Sequence, residues 1–166
     1  MYRLLPLLCV ATLALMGCAK RSLGGGSSAL SGLGVPGFVT LYSWGNEGCG
    51  ACKTELGEIT AFLNSHPDIR SQVITVLYVP SGDPDLDYTP ESAKSFHDVH
   101  APGFLYQMDK GWVKFQQYVG DQGTVGNLPA DVIVDKKGKA TVYTSQTTVP
   151  TGSLITSVIQ GLVNQP

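Results

Sequence analysis

The sequence has little charge, and no part of it is strongly basic. Asp, Glu, Lys and Arg make up 14% of the 166 residues, and the formal net charge is −2. A protein that binds the nucleic-acid backbone needs clustered Lys and Arg side chains to neutralise phosphates. Because the chain has no such cluster, we do not expect a nucleic acid among its partners.

The sequence also lacks an apolar run long enough to cross a membrane. The longest one, residues 4–16, falls short of the roughly 20 residues that a spanning helix needs. A short apolar run that follows a positive residue, here Arg3, is typical of a secretory signal. We therefore assign residues 1–17 to a signal peptide and expect the protein to be exported.

The end of this segment, Leu15-Met16-Gly17-Cys18, resembles a bacterial lipobox. In that family the signal peptidase cuts before the cysteine, whose sulfur carries a diacylglycerol. The small residue directly before Cys18 favours this interpretation over a plain secretory signal with an incidental cysteine. The resemblance predicts a lipid anchor on the periplasmic side of a bacterial membrane. Ala19, rather than Asp, after the lipidated cysteine permits the outer membrane.

Gly- and Ser-rich sequence follows the anchor and has too few apolar side chains to build a core. We assign residues 18–37 to the lipidated cysteine and a tether, and residues 38–166 to one folded domain. That length is sufficient for a single hydrophobic core.

Cysteine is scarce, and this makes the remaining pair informative. Of the four cysteines, Cys9 leaves with the signal peptide and Cys18 is the predicted lipid site, so the domain keeps Cys49 and Cys52. A structural disulfide that closes so short a loop stabilises a fold little, because the stabilisation grows with loop length. In an oxidising compartment the pair is therefore favoured as a redox couple.

The position of the pair supports redox chemistry. Cys49 and Cys52 follow an apolar, strand-like run and open a helix-like run. A sulfur at the first turn of a helix lies among unpaired backbone N–H groups at the positive end of the helix dipole. Such a position lowers a thiol pKa from about 8.5 into the range of roughly 3.5–7.5, which favours the reactive thiolate.

Residues 38–63 resemble the active-site strand and first helix of thioredoxin-like proteins. Residues 127–138, from Asn127-Leu128-Pro129 to Lys137-Gly138, resemble the membrane-tethered TlpA/ResA branch. The resemblance implies an α/β, thioredoxin-like fold with a central mixed sheet flanked by helices. It also implies a thiol–disulfide oxidoreductase without a cofactor, with Cys49 as nucleophile and Cys52 as resolving cysteine. Its partners would be thiols and disulfides of exported proteins and a further redox partner, as in cytochrome c maturation.

The same resemblance assigns further site residues. It implies a cis Pro129 beside the disulfide, with the Leu128 backbone exposed to an extended substrate. Family members usually carry Trp immediately before the first cysteine, where this chain has Gly48, and we expect Trp44 to supply the aromatic wall instead. Glu47 is a candidate for proton transfer, with a merely solvated carboxylate as the alternative.

The resemblance does not locate one catalytic group, a buried carboxylate. The buried acid that many thioredoxins place on the strand before the motif falls here at Tyr42 or Ser43, so a carboxylate proton acceptor is missing or relocated.

A second class of function is a copper or zinc carrier that uses the two cysteines as soft ligands. His97 and His100 are its obvious additional donors. A helix and a strand separate these histidines from the cysteines, unlike in a compact zinc finger, so we expect no metal. Asp83, Asp85 and Asp87 are spaced as in a calcium loop, but the sixth-position Gly is missing, and we interpret this segment as solvated.

Hydrophobic periodicity predicts the remaining elements. Strands are expected at residues 38–44, 73–79 and 104–106, with a hairpin at 132–134 and 140–143. Helices are expected at 49–65, from Thr89-Pro90 to about 100, at 111–119 and after 150. The buried stripes are predicted to be Cys52, Leu56, Ile59 and Leu63 in the first helix, and Leu154, Val158 and Leu162 in the last.

Overall fold

The computed structural model describes residues 33–81 and 88–166. The elements, in chain order, are β1 (Val39–Trp44), α1 (Gly50–Ser65), α2 (Pro67–Arg70), β2 (Val73–Ser81), α3 (Pro90–His100), β3 (Leu105–Lys110), α4 (Val113–Tyr118), β4 (Ala130–Val134), β5 (Ala140–Tyr143) and α5 (Gly152–Val163). A single 3₁₀ turn, Gly120–Gln122, follows α4.

The strands form one five-stranded mixed sheet in the order β3-β2-β1-β4-β5. β1 and β2 are parallel, as are β2 and β3, whereas β4 runs antiparallel to both β1 and β5. β1, α1 and β2 thus form a parallel strand–helix–strand unit. Gly138 has a φ of +84° in the β4–β5 turn, where the sequence predicts a hairpin.

Side chains alternate along β1 and so define two packed layers. Val39 and Leu41 join a cluster with residues of α1, α3 and α5, whereas Trp44 joins a second cluster with residues of α4. The sheet is therefore flanked by helices on both faces. β1 lies at its centre and delivers the chain from the core to the start of α1.

The helices begin where the sequence provides caps. Thr89 and Thr151 each accept a backbone N–H in the first turn of α3 and α5, and Pro90 occupies the first turn of α3. The predicted stripe of α1 is buried. In α5 the buried residues are Ile155, Ile159 and Val163, so the predicted stripe is wrong by one position. Each of these residues has an apolar neighbour one position earlier, so periodicity alone does not fix the rotation of the helix.

Some boundaries also differ from the sequence predictions. Pro67 begins the short helix α2 rather than only ending α1, and β3 extends to Lys110 instead of stopping at residue 106. Residues 33–37, which the sequence assigns to the tether, contact the domain: Gly37 donates its N–H to the Lys136 carbonyl, and Leu33 packs against the second cluster. The ordered domain thus starts earlier than residue 38.

Candidate functional site

The two cysteines lie at the N-terminus of α1. Cys49 is the residue before the first turn, with φ −91° and ψ 95°, and its sulfur accepts the Cys52 backbone N–H at 3.1 Å. The two sulfurs are joined in a disulfide, and the Cα atoms are 5.3 Å apart. The predicted placement of a thiol at a helix N-terminus is therefore confirmed.

The two sulfur-bearing residues differ in exposure. Cys49 is half-buried and lines a surface pocket of about 410 Å³, together with Gly48, Gly126 and Leu128. Cys52 is only 1% exposed, and its Sγ lies 3.9 Å from the Trp44 carbonyl oxygen. An incoming molecule can therefore reach Cys49 but not Cys52.

The segment before β4 forms the other side of this pocket. Leu128 lines it, the Leu128–Pro129 peptide bond is cis, and Pro129 is buried. The cis conformation expected from the resemblance is present. Because proline has no N–H, this part of the chain offers substrates no donor at residue 129.

Trp44 does not form a wall of the pocket. Its side chain is 1% exposed, stacks on Tyr78 and donates its indole N–H to Asp109 at 2.9 Å. The prediction of an aromatic wall from Trp44 is wrong because alternation along β1 turns this side chain to the sheet face away from α1. The aromatic side chain next to Gly48 is Tyr88, whose hydroxyl oxygen accepts the Gly48 N–H at 3.0 Å.

Glu47 points into solvent. Its side chain is 54% exposed and forms an ion pair with Lys53. A carboxylate that is exposed and paired with a lysine lacks the buried surroundings that raise the basicity of a proton acceptor. The exposure of Glu47 and its ion pair with Lys53 therefore favour the second alternative, a solvated carboxylate, over proton transfer.

Two other carboxyl groups, one on α1 and one on β4, are buried close to each other. Glu55 on α1 is 3% exposed, and Asp131 on β4 is fully buried. Asp131 pairs with Ser43 in the β1–β4 register, and the Ser43 hydroxyl donates to Asp131 Oδ1 at 2.5 Å. We refer to Glu55 and Asp131 as the carboxyl pair.

The surroundings disfavour charge on this pair. Burial raises the pKa of Glu55 far above its ordinary range, and the neighbouring Asp131 carboxyl raises it further. Burial also raises the pKa of Asp131, against the opposing effects of the neighbouring Glu55 carboxyl group and the Ser43 hydroxyl. Two adjacent buried carboxyl groups cannot both ionise, so the pair keeps a proton at neutral pH.

The carboxyl pair was not assigned from the sequence, although signals for it exist. Asp131 is the one charged residue in the strand Ala130–Val134, and charged residues are rarely buried without a partner. Glu55 lies three residues after Cys52, which places the two on one face of α1. An acidic residue in an apolar strand and a second acidic residue beside the buried stripe of a helix together indicate such a pair.

The histidines are not near the sulfurs. His97 Nε2 lies 2.8 Å from the Phe104 carbonyl oxygen, and its Nδ1 contacts Asp98. Across residues 33–81 and 88–166, no group of three or more His, Cys, Asp or Glu side chains could hold a metal ion. The structure therefore contradicts the joint site of cysteines and histidines that a metal carrier would require.

The proposed lipid site Cys18 and the acidic stretch at 83–87 lie outside the described residues. Within the described part of the chain, none of the helices has the length and apolar character needed to span a membrane.

The overall architecture is similar to that of several solved bacterial proteins. One is a secreted Mycobacterium tuberculosis disulfide oxidoreductase described as homologous to E. coli DsbE, with 16% identity, a TM-score of 0.58, and coverage of 76% of this chain and 84% of that one. A second is a secreted thiol-disulfide isomerase from Corynebacterium glutamicum, with 13% identity, a TM-score of 0.61, and coverage of 78% of this chain and 73% of that one. A third is the pneumococcal exposed lipoprotein thioredoxin Etrx1 from Streptococcus pneumoniae, with 15% identity, a TM-score of 0.55, and coverage of 76% of this chain and 86% of that one.

No family model and no curated protein matches the sequence. The structural similarity thus covers about three quarters of the chain at low sequence identity. Similarity of this kind is evidence for a shared fold. The order of strands, the flanking helices and these neighbours agree: the chain has a thioredoxin-like fold.

Proposed function

We propose that this chain is a thiol–disulfide oxidoreductase that acts on exported proteins. The observation that carries the proposal is the unequal exposure of a disulfide-bonded pair at a helix N-terminus. The half-buried Cys49 opens onto a pocket, whereas Cys52 is 1% exposed. A nucleophile must be reached by its substrate, and a resolving thiol needs only to reach the nucleophile.

In the reduced chain, the Cys49 thiolate attacks one sulfur of a partner disulfide and displaces the other as a thiolate. The helix N-terminus stabilises the attacking thiolate, and the Cys52 backbone N–H, 3.1 Å from Cys49 Sγ in the oxidised chain, is one donor available to it. The Cys52 thiolate then attacks Cys49 in the mixed disulfide and displaces the partner as a thiolate, which takes a proton from solvent. The oxidising direction runs the same steps in reverse.

The pocket beside Cys49 suits an extended segment of a protein substrate. Leu128 faces the same pocket as Cys49, and its backbone groups can pair with an arriving chain, strand against strand. Pro129 adds no N–H that would compete for substrate carbonyls near the sulfurs. In this proposal, Leu128, Pro129 and Gly48 bind substrate, and Cys49 and Cys52 carry the chemistry.

The sequence extends the proposal to location and direction. The predicted signal peptide and lipidated Cys18 place the domain outside the cytoplasm on a membrane tether, and the names of two neighbours, a secreted oxidoreductase and an exposed lipoprotein, agree with export. Mass spectrometry of the mature N-terminus tests the lipid: an unmodified Cys18 excludes the anchor.

By analogy with the TlpA/ResA branch we propose a reducing role, as in cytochrome c maturation. A reduction potential as oxidising as about −120 mV would contradict it.

Trapping of mixed disulfides tests the assignment of the cysteines. The full chain carrying Cys52→Ser should accumulate covalent adducts with exported proteins through Cys49, because no second thiol releases them. The matched variant Cys49→Ser should accumulate few, because the remaining Cys52 is buried. Adducts of both variants are counted on non-reducing gels. Equal trapping by the two variants would refute the roles proposed for them.

A further inference from the structure

The last residues of the predicted tether are held against one end of the sheet. Gly37 donates its N–H to the Lys136 carbonyl at 3.2 Å. Gly34 lies so close to β4 that a Cβ atom there would come within 2.7 Å of Val134 Cγ1, so only glycine fits without a shift of its neighbours. The chain from the anchor therefore joins the domain at a defined place, beside the turn between β4 and β5.

This end of the sheet is opposite Cys49. Thr40, near the start of β1, pairs with Val134 at the end of β4, whereas Trp44 at the end of β1 leads to the cysteines. The six residues of β1, at about 3.3 Å each, separate the two ends by roughly 20 Å. A surface beside the β4–β5 turn can therefore hold the domain without covering the pocket at Cys49.

Positive charge is concentrated at this turn. All 13 Asp and Glu residues of the chain follow residue 33, whereas three of the 11 Lys and Arg residues precede it, so the domain is acidic. Lys136, Lys137 and Lys139 nevertheless fall within four residues, and the last two are exposed. The adjacent Asp135 accepts the backbone N–H groups of both. In the part of the chain that the structure describes, neither exposed lysine side chain pairs with a carboxylate, so both can meet an anionic partner.

Exposed apolar side chains accompany these lysines. Val35 is 44% exposed and Phe38 is 38% exposed, and a surface pocket of about 220 Å³ lies between the end of the tether and the turn. On α2, at the same end of the sheet, Asp68 and Arg70 offset each other in charge. Lysines beside apolar side chains suit a lipid surface, because the apolar groups enter the headgroup layer while the ammonium groups meet phosphates. We refer to Val35, Phe38, Lys137 and Lys139 as the basal surface.

We propose that the basal surface docks on anionic phospholipid headgroups of the membrane that holds the lipid anchor. This inference rests on the proposed tether and goes beyond the proposed function. Residues 19–32, a Gly- and Ser-rich sequence, are expected to span roughly 20 Å, which keeps the basal surface close to the membrane. A weak attraction then suffices, since the second contact of a linked pair forms at a high effective concentration.

Two further features agree with an anionic membrane as the partner. Lys20 and Arg21 follow the predicted lipid site directly and add positive charge where the chain meets the headgroups. Docking through the basal surface also turns Cys49 away from the membrane, toward the space that holds exported proteins. The anchor alone would leave the domain free to turn in any direction.

Chemical footprinting of the exported full-length protein tests the docking. The protein is purified in detergent and returned to vesicles of phosphatidylcholine, or of phosphatidylcholine mixed with phosphatidylglycerol. Acetylation rates of individual lysines are then read by mass spectrometry. Lys137 and Lys139 should react about 10-fold more slowly in the anionic vesicles, because docking removes them from solvent. Salt at about 0.5 M should restore their rates, since screening weakens the attraction.

Lys110 provides the matched control. It is exposed and ends β3, which runs parallel to β2 and so places Lys110 at the same end of the sheet as Cys49. Its acetylation rate should be the same in both kinds of vesicle. Lys139→Glu should weaken the protection of Lys137 by at least about fivefold, the effect of one charge at an anionic surface. Lys110→Glu changes the net charge equally and should leave that protection intact.

Equal acetylation of Lys137 in neutral and anionic vesicles overturns the inference. So does protection that follows the density of protein rather than the charge of the lipid, which would indicate contact between copies of the chain. The proposals on which the inference rests fail separately. Trapping of mixed disulfides tests the cysteines and involves no lysine. A chain without an anchor would float with anionic vesicles alone if the basal surface binds them, and with neither kind if it does not.

Discussion

Two buried aspartates, Asp109 on β3 and Asp131 on β4, show how differently the same side chain can be used. They are 1% and 0% exposed, respectively. Asp109 accepts three N–H groups at 2.8–2.9 Å, from the Trp44 indole and the backbones of Lys114 and Phe115. Asp131 receives one hydroxyl and otherwise faces Glu55.

The difference lies in the supply of donors. A buried carboxylate surrounded by N–H groups is satisfied as an anion and can hold a structure together. A buried carboxyl group that faces another carboxyl group is satisfied only by a proton. Asp109 therefore fixes Trp44 and the start of α4, whereas Asp131 belongs to a buried pair that keeps a proton at neutral pH.

The largest expected effect comes from exchanging the carboxylates for amides. Asp109→Asn should lower the free energy of unfolding by about 3 kcal/mol, because an amide turns a donor toward N–H groups that need an acceptor. Asp131→Asn should lower it little at neutral pH, since an amide can donate to Glu55. Urea unfolding of both oxidised variants measures the contrast. Equal losses in the free energy of unfolding would show that the two aspartates contribute to stability in the same way.

A second effect, smaller for each pH unit, concerns the dependence of stability on pH. The pKa of Glu55 is raised above its ordinary value of 4.5, chiefly by burial. Above that value the unfolded chain releases a proton that the folded chain keeps. The stability from this group is thus complete at low pH and is lost as pH rises toward the folded pKa, by about 1.4 kcal/mol per pH unit and proton.

The variant Glu55→Gln/Asp131→Asn should lack this loss, and the control Glu58→Gln should keep it. Free energies of unfolding measured between about pH 5 and pH 8 give both slopes. A wild-type stability that changes with pH in parallel with that of the double variant would contradict the proton assigned to the pair.

The smallest effect should follow from Ser43→Ala, which removes the hydroxyl donor to Asp131. We expect a loss of about 1 kcal/mol in stability, the usual net value of one hydrogen bond. Without this hydroxyl the pKa of Asp131 should rise, so the dependence of stability on pH should also change. Thr40→Ala on the same strand, which removes a buried hydroxyl distant from the carboxyl pair, is the control. An identical dependence of stability on pH in the two variants would contradict the contribution assigned to the Ser43 hydroxyl.

Local patterns identified most of the elements, because they depend on residues close together in the chain. The run before Cys49 predicted β1, Thr89 marked the start of α3, and Gly138 marked the hairpin. What failed involved orientation rather than element type. The side chain of Trp44 was predicted on the wrong face of the sheet, and the buried stripe of α5 was predicted one position too early in the sequence.

The sequence by itself determined the reactive unit of this protein, a pair of cysteines at a strand–helix junction, since spacing and flanking residues suffice to place a sulfur at a helix N-terminus. Only the tertiary structure decided which groups surround it. Ser43 and Asp131 are 88 residues apart in sequence and meet because β4 pairs antiparallel with β1. The packing of α1 on these strands then brings Glu55 to Asp131 and turns two ordinary acids into one proton-holding pair.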